Sequence, residues 1–141
     1  MDRPVTRSFT IQGRNFLDAG LVSTEIKSML REVGLNPSLV RRVAIATYEA
    51  EMNVVMYADQ ATLTVELTPR TITILVRDRG PGIPDVDLAM QEGYSTATPE
   101  MREMGFGAGM GLPNIRKNAD RFTVTSEMGK GTTLAITVTI N

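Results

Sequence analysis

Glu49 and Asn53, in "YEAEMNVVMYA", are the first side chains in the sequence whose types and spacing could do chemistry. Four residues apart on a helix, they project from one face. Glu49 can orient a water or accept a hydroxyl proton, and Asn53 offers a neutral oxygen to a hard cation such as Mg²⁺ held partly by substrate phosphates. The same spacing also suits an ordinary solvated helix face. A second group is "RDRGPGIP", residues 77–84, which follows the apolar run "TITILV". Asp78 ends that strand, where a carboxylate can accept hydrogen bonds from an exocyclic amine such as that of adenine. Gly80 and Gly82 permit close approaches forbidden to residues with a Cβ, and Ile83 supplies an apolar wall for a flat ring. The plain alternative is a turn with a solvated aspartate.

Two glycine-bearing stretches complete the set. In "GFGAGMGL", Gly105, Gly107, Gly109 and Gly111 alternate before the helical segment "LPNIRKNAD". A glycine-rich segment feeding a helix N-terminus presents free N–H groups to phosphate. No Gly-Lys-Ser/Thr follows, so it is not a Walker motif, and no strand precedes it, as a dinucleotide fingerprint requires. A flexible linker would read the same way. "GKGTT", Gly129 to Thr133, is by default a hairpin turn, from which Thr132 could reach a nucleotide across the sheet.

Other chemistries are excluded by composition. The 141 residues contain no cysteine and no histidine, which removes disulfides, thiolate and histidine metal sites, and Ser-His-Asp catalysis. Acid–base work must fall to carboxylates, lysine or tyrosine. The net charge of -1 gives no electrostatic footprint for nucleic acid. No apolar run approaches the roughly 20 residues that span a bilayer, and "MDRPVTRSFT" lacks a signal-peptide core, so a cytoplasmic protein without membrane contact is expected.

These residues need elements to position them. "SFTIQG" reads as a strand, and Asp18 to Val33 carries apolar residues at helical spacing, with Gly34 at its end as a cap. Asn36 and Pro37 open a long amphipathic helix reaching about Ala58. "ATLTVELT" and "TITILVRD" alternate with period two around "PR", a hairpin. A short helix over Asp85 to Glu92, a long glycine-rich loop and the helix "LPNIRKNADR" follow, then the strands "RFTVTSE" and "TTLAITVTI" joined across "MGKG". Clustered helices and hairpin-linked strands predict an α+β fold. The expected form is one domain over residues 1–141: a two-layer sandwich with a mixed, mostly antiparallel sheet and helices on one face.

In order and spacing, "EAEMN", "DRGPGI", "GFGAGMGL" and "GKGTT" resemble the nucleotide-binding boxes of the GHKL ATPases. That superfamily includes gyrase, Hsp90, histidine kinases and MutL. "GPGIPDVDLAMQEGYSTA" and "GLPNIRKNADRF" are similar to the bacterial anti-sigma-factor and switch-type serine/threonine protein kinases, and the likeness runs from about Phe9 to Ile140. It implies a histidine-kinase-like ATPase fold binding ATP and Mg²⁺, with Asn53 on the metal and Glu49 as general base or its positioning partner. It further implies Asp78 on the adenine amine with Gly80, Gly82 and Ile83 beside it. Gly107, Gly109, Gly111 and Leu112 would cradle phosphates, Thr132 would complete the adenine side, and Arg102 would be a cation near the γ-phosphate. With no phospho-acceptor histidine, the resemblance implies a protein-serine kinase acting in trans on a small STAS-type regulator, binding a sigma factor and dimerising. A non-catalytic nucleotide-gated binding module and a plain ATP hydrolase are the competing functions. One departure is "VVMYADQ" after Asn53, where relatives often carry small residues and a histidine.

Overall fold

In the computed structural model, which describes residues 4–93, 99 and 111–140, five strands form one sheet with the helices packed on one face. In chain order the elements are β1 (Val5–Gln12), α1 (Leu21–Glu32), α2 (Pro37–Tyr57), β2 (Gln60–Leu67), β3 (Thr71–Arg79), α3 (Val86–Ala89), α4 (Gly111–Asn118), β4 (Arg121–Glu127) and β5 (Gly131–Thr139). The sheet order is β1-β2-β3-β5-β4, and every neighbouring pair is antiparallel. Among the described residues the sheet therefore lacks the parallel component expected of a mixed one. β3 and β5, far apart in sequence, meet antiparallel because α4 and β4 intervene and β4 turns back into β5 through residues 128–130.

Period-two alternation sets the sheet's two faces. Leu63, Val65 and Leu67 of β2 lie with Ile72, Ile74 and Val76 of β3 and with Leu134, Ile136 and Val138 of β5, all buried under the helices. The opposite face is threonine-rich: Thr62, Thr64, Thr73, Thr133 and Thr137 occupy the alternate positions. Register ties the faces together, with Leu63 opposite Val76, Ile74 opposite Ile136 and Val124 opposite Leu134.

Helix α2 begins where Asn36 and Pro37 predict. The Asn36 side chain accepts a hydrogen bond from the Ser38 N–H at 2.8 Å, and Pro37 takes the first helical position. Asn36→Ala should cost about 1 kcal/mol of stability, read from the denaturant midpoint. The helix is less amphipathic than a surface helix because it packs against the sheet, α1 and α4 together. Val43, Ala46 and Ala50 are buried, and so are Met52, Val55 and Met56.

Helix α1 starts at Leu21, later than the apolar spacing predicts, and its N-cap Gly20 has no side chain to cap with. The cap comes from α2. Glu51, 2% exposed, accepts the Gly20 and Val22 N–H groups on Oε2 at 3.0 and 3.2 Å and the Ser23 N–H on Oε1 at 2.9 Å. A buried carboxylate is tolerable only with such partners, and here it satisfies donors that a helix start leaves orphaned. Glu51→Ala leaves three buried or half-buried donors unpaired. It should lower stability by about 3 kcal/mol and the melting temperature by about 10 °C. Thermal and urea unfolding check this, and a loss under about 1 kcal/mol would mean that water caps the helix equally well.

Candidate functional site

The exposed end of α2's candidate face meets the start of α4. Glu49 and Asn53 are both half-buried. Asn114, in the first turn of α4, donates from Nδ2 to Glu49 Oε2 at 2.8 Å and holds that carboxylate in place. Gly111, the first residue of α4, lies against Asn53: a Cβ there would come within 3.3 Å of Asn53 Oδ1. The missing side chain thus keeps the amide oxygen uncrowded. Leu112 sits beside it, but its side chain is buried in the hydrophobic core, where with Ile115 it seats α4. Only its backbone is left to meet a ligand. Gly105, Gly107, Gly109 and Arg102, the other expected phosphate-side residues, lie outside the described residues.

The second half of the site is built at the end of β3. Asp78 has the same parity as Ile72, Ile74 and Val76, so it continues the helix-facing side of the strand past the apolar core. The ladder to β5 ends at the pair Arg77–Thr133. Beyond it, the Asp78 side chain takes over, and Oδ1 accepts the Thr132 N–H at 2.9 Å. Thr132 is buried, and its hydroxyl shares a 3.0 Å hydrogen bond with Ser126 Oγ, which accepts the Ile83 N–H at 2.7 Å. One polar chain therefore links Asp78, Thr132, Ser126 and Ile83, drawing the "GPGI" turn onto β4 and β5.

Close approach explains two glycines there. At Gly131 (φ 147°) a Cβ would fall 2.1 Å from the Asp78 carbonyl oxygen and 3.0 Å from Asp78 Oδ1. At Gly82 (φ 81°) it would strike the Glu127 carbonyl oxygen at 2.7 Å. Gly80 packs on Ala58, at the end of α2, where a Cβ would come within 3.1 Å of Ala58 Cα. That contact fixes the two half-sites relative to each other. From Ala58, Asn53 lies five residues back along α2 and Glu49 nine, about 8 and 14 Å at the helical rise.

The electrostatics single out Asp78. Burial raises its pKa above the ordinary aspartate value, the Thr132 N–H works against the rise, and the nearby Asp59 carboxylate adds to it. Its second oxygen, Oδ2, makes no hydrogen bond among the described residues, which leaves this half-buried residue one acceptor for a ligand. Such an acceptor suits an amine donor. The described residues hold no cluster of three or more carboxylates that could cage a cation. Asn53 alone fits a metal that takes its remaining ligands from phosphate and water, as Mg²⁺ commonly does.

Four contributors escaped the sequence reading: Asn114, Ser126, Gly131 and Glu51. Ser126 carries the one available signal, a polar residue at a core-facing position of "RFTVTSE" in line with Phe122 and Val124. Asn114 announces itself only as a polar residue in the first turn of a short helix. No helix is long and apolar enough to cross a membrane among the described residues.

Known proteins similar to this chain share the fold class. The serine/threonine-protein kinase RsbT of Bacillus subtilis is 29% identical over 110 residues, covering 75% of this chain and 77% of that protein. An anti-sigma F factor of Shouchella clausii is 33% identical over 113 residues, covering 80% of this chain and 66% of its own length. A second anti-sigma F factor, from Caldanaerobacter subterraneus, is 33% identical over 110 residues and 73% of each chain. The match to the histidine kinase-like ATPase domain extends over residues 18–138, which include both half-sites and Glu51, and the chain therefore belongs to that family of GHKL-type ATPase domains.

Proposed function

We propose that this protein is an ATP-dependent serine/threonine protein kinase of a bacterial partner-switching module, working in the cytoplasm on a small STAS-type regulator. The observation that carries the proposal is the Glu49 carboxylate, held at 2.8 Å by Asn114 beside Asn53 and the first turn of α4. A carboxylate so placed can accept the proton of an incoming serine or threonine hydroxyl. The likeness to a serine/threonine-protein kinase supports the reading.

In the proposed mechanism each half-site has one task. Asp78 accepts the exocyclic amine of adenine on Oδ2 while Thr132 and Gly131 keep the carboxylate at that angle. Gly80, Gly82 and Ile83 line the ring. Asn53 contributes its amide oxygen to Mg²⁺, which when bound neutralises charge on the phosphate oxygens. The N-terminal turn of α4, from Gly111, offers backbone N–H groups to the phosphate tail, and Gly107, Gly109 and Arg102 are assigned to the same tail. Glu49 takes the acceptor hydroxyl's proton as that oxygen bonds the γ-phosphorus and the bond from the γ-phosphorus to the β,γ-bridging oxygen breaks, releasing ADP. Positioning and charge neutralisation supply most of the rate.

The test is transfer of labelled γ-phosphate from ATP, with Mg²⁺, onto a serine or threonine of candidate STAS-type partners. Transfer that needs the acceptor protein supports the kinase. Phosphate release without an acceptor would make the protein a hydrolase, and ATP binding with no transfer to any partner would overturn the reading. The likeness to anti-sigma F factors favours a second role, in which the nucleotide-bound protein, as a homodimer, also holds a sigma factor. If only that role operates, Glu49→Gln will leave sigma-factor binding and its nucleotide dependence intact.

A further inference from the structure

Glu49 has two sides. One oxygen meets Asn114, and the residue also closes one end of an open groove of about 450 Å³ between α1 and α2. The groove is lined by Ser23, Thr24 and Lys27 of α1 and by Arg41, Ile45 and Tyr48 of α2. Its ends differ in character. Beside Glu49 the ring of Tyr48 is exposed, with Leu21 also exposed one turn before Thr24. At the other end stand Lys27 and Arg41, and neither has a carboxylate within salt-bridge distance among the described residues. The neighbouring Arg42, in contrast, is paired with Asp120 at 3.1 Å. Two unpaired cations in one groove, with the only carboxylate among its described lining residues at the far end, complement an acidic side chain and repel a basic one.

From this we infer that the groove receives an acidic segment of the protein whose hydroxyl Glu49 serves, with Lys27 and Arg41 as residues that determine specificity. The inference rests on the kinase reading for the identity of the hydroxyl, but not for the groove or its charge. Spacing sets the recognition rule. Arg41 precedes Glu49 by eight residues on one helix, about 12 Å, which an extended chain covers in three to four residues. The acidic group therefore lies three to four residues from the accepted serine or threonine when the segment is extended. Tyr48 and Ile45 supply the apolar floor between the two ends.

Isotope-labelled protein titrated with a peptide resolves the matter by NMR. The probe is an eleven-residue peptide with a central serine and aspartates three and four residues to either side. Its control replaces every aspartate by asparagine. The acidic peptide should shift the amides of Lys27, Arg41 and Tyr48, and Lys27→Glu with Arg41→Glu should weaken its binding on the order of tenfold or more. Equal shifts from the asparagine peptide, shifts confined to another surface, or no shifts at millimolar peptide would each overturn the inference. A parallel titration with Mg-ATP separates the two readings. Nucleotide shifts at Asp78 and Thr132 without peptide binding defeat the groove alone, whereas peptide binding without nucleotide shifts defeats the kinase alone. Both substitutions are on the helix surface, and a thermal melt of the double variant confirms that a lost peptide signal is not lost folding.

Discussion

A Glu49→Gln protein is expected to bind Mg-ATP with unchanged affinity and to transfer phosphate about 10²–10⁴-fold more slowly. Glutamine keeps the size and reach of glutamate, and its carbonyl oxygen can still accept the 2.8 Å hydrogen bond from Asn114 Nδ2. The side chain therefore stays where it is, and α2 and α4 keep their contact. What disappears is the capacity to take a proton. A loss in the maximal rate without a change in nucleotide affinity identifies Glu49 with proton removal or with orienting the hydroxyl. A loss in affinity instead would place its charge in nucleotide binding. Single-turnover transfer to a STAS-type acceptor, set beside calorimetric titration with a nonhydrolysable analogue, measures both quantities. If transfer survives at more than about a tenth of the parental rate, Glu49 is not the base and the proposal must move to another group.

The features that sequence reasoning could see are those in which neighbouring residues settle the conformation. Asn36 followed by Pro37 starts α2 because side-chain capping and a fixed φ both act within three residues. Strands β2, β3 and β5 are legible because one face is buried, and β4 because one face is half-buried, so apolar residues alternate along each. β1 is an edge strand whose first four residues are exposed, and its beginning at Val5 has no such alternation to reveal it. Where a partner comes from far away, the sequence is silent. α1 is capped by Glu51, about thirty residues downstream, so its start at Leu21 follows from tertiary packing. The site shows the same division. Glu49 and Asn53 share a face by helical period, whereas Asn114 reaches Glu49 across a separation of 65 residues. Gly131 reads as a turn glycine in "GKGTT", yet the atoms that forbid it a side chain belong to Asp78.

Asp78→Asn should weaken ATP about 10²–10³-fold, some 3–4 kcal/mol, while leaving the nucleotide-free protein almost as stable as before. The asparagine carbonyl can still accept the Thr132 N–H that Oδ1 accepts now, so the link to Thr132, Ser126 and Ile83 persists. The other oxygen becomes an NH₂ group, which in the proposed pose would meet the adenine amine donor to donor. The pH dependence follows from the same carboxylate. Burial, helped by Asp59 and opposed by the Thr132 N–H, raises the Asp78 pKa. In the nucleotide-free fold a raised carboxyl pKa means that the protonated form is favoured. Its contribution to stability is complete below the unfolded-state pKa and is lost as pH rises through the folded one. An amine that donates to the carboxylate reverses the preference, so ATP binding releases this proton. Affinity should accordingly be full above the raised pKa and fall as pH drops through it, at a pH above that of an ordinary aspartate. Calorimetry across this range tests the slope, with Asp78→Asn as the control that retains adenine's own titration. Because Asp59 contributes to the rise, Asp59→Asn should move the midpoint of the affinity curve to lower pH. A midpoint unmoved by that change, or an affinity that is flat with pH in the parental protein, would place the adenine amine on a group other than Asp78.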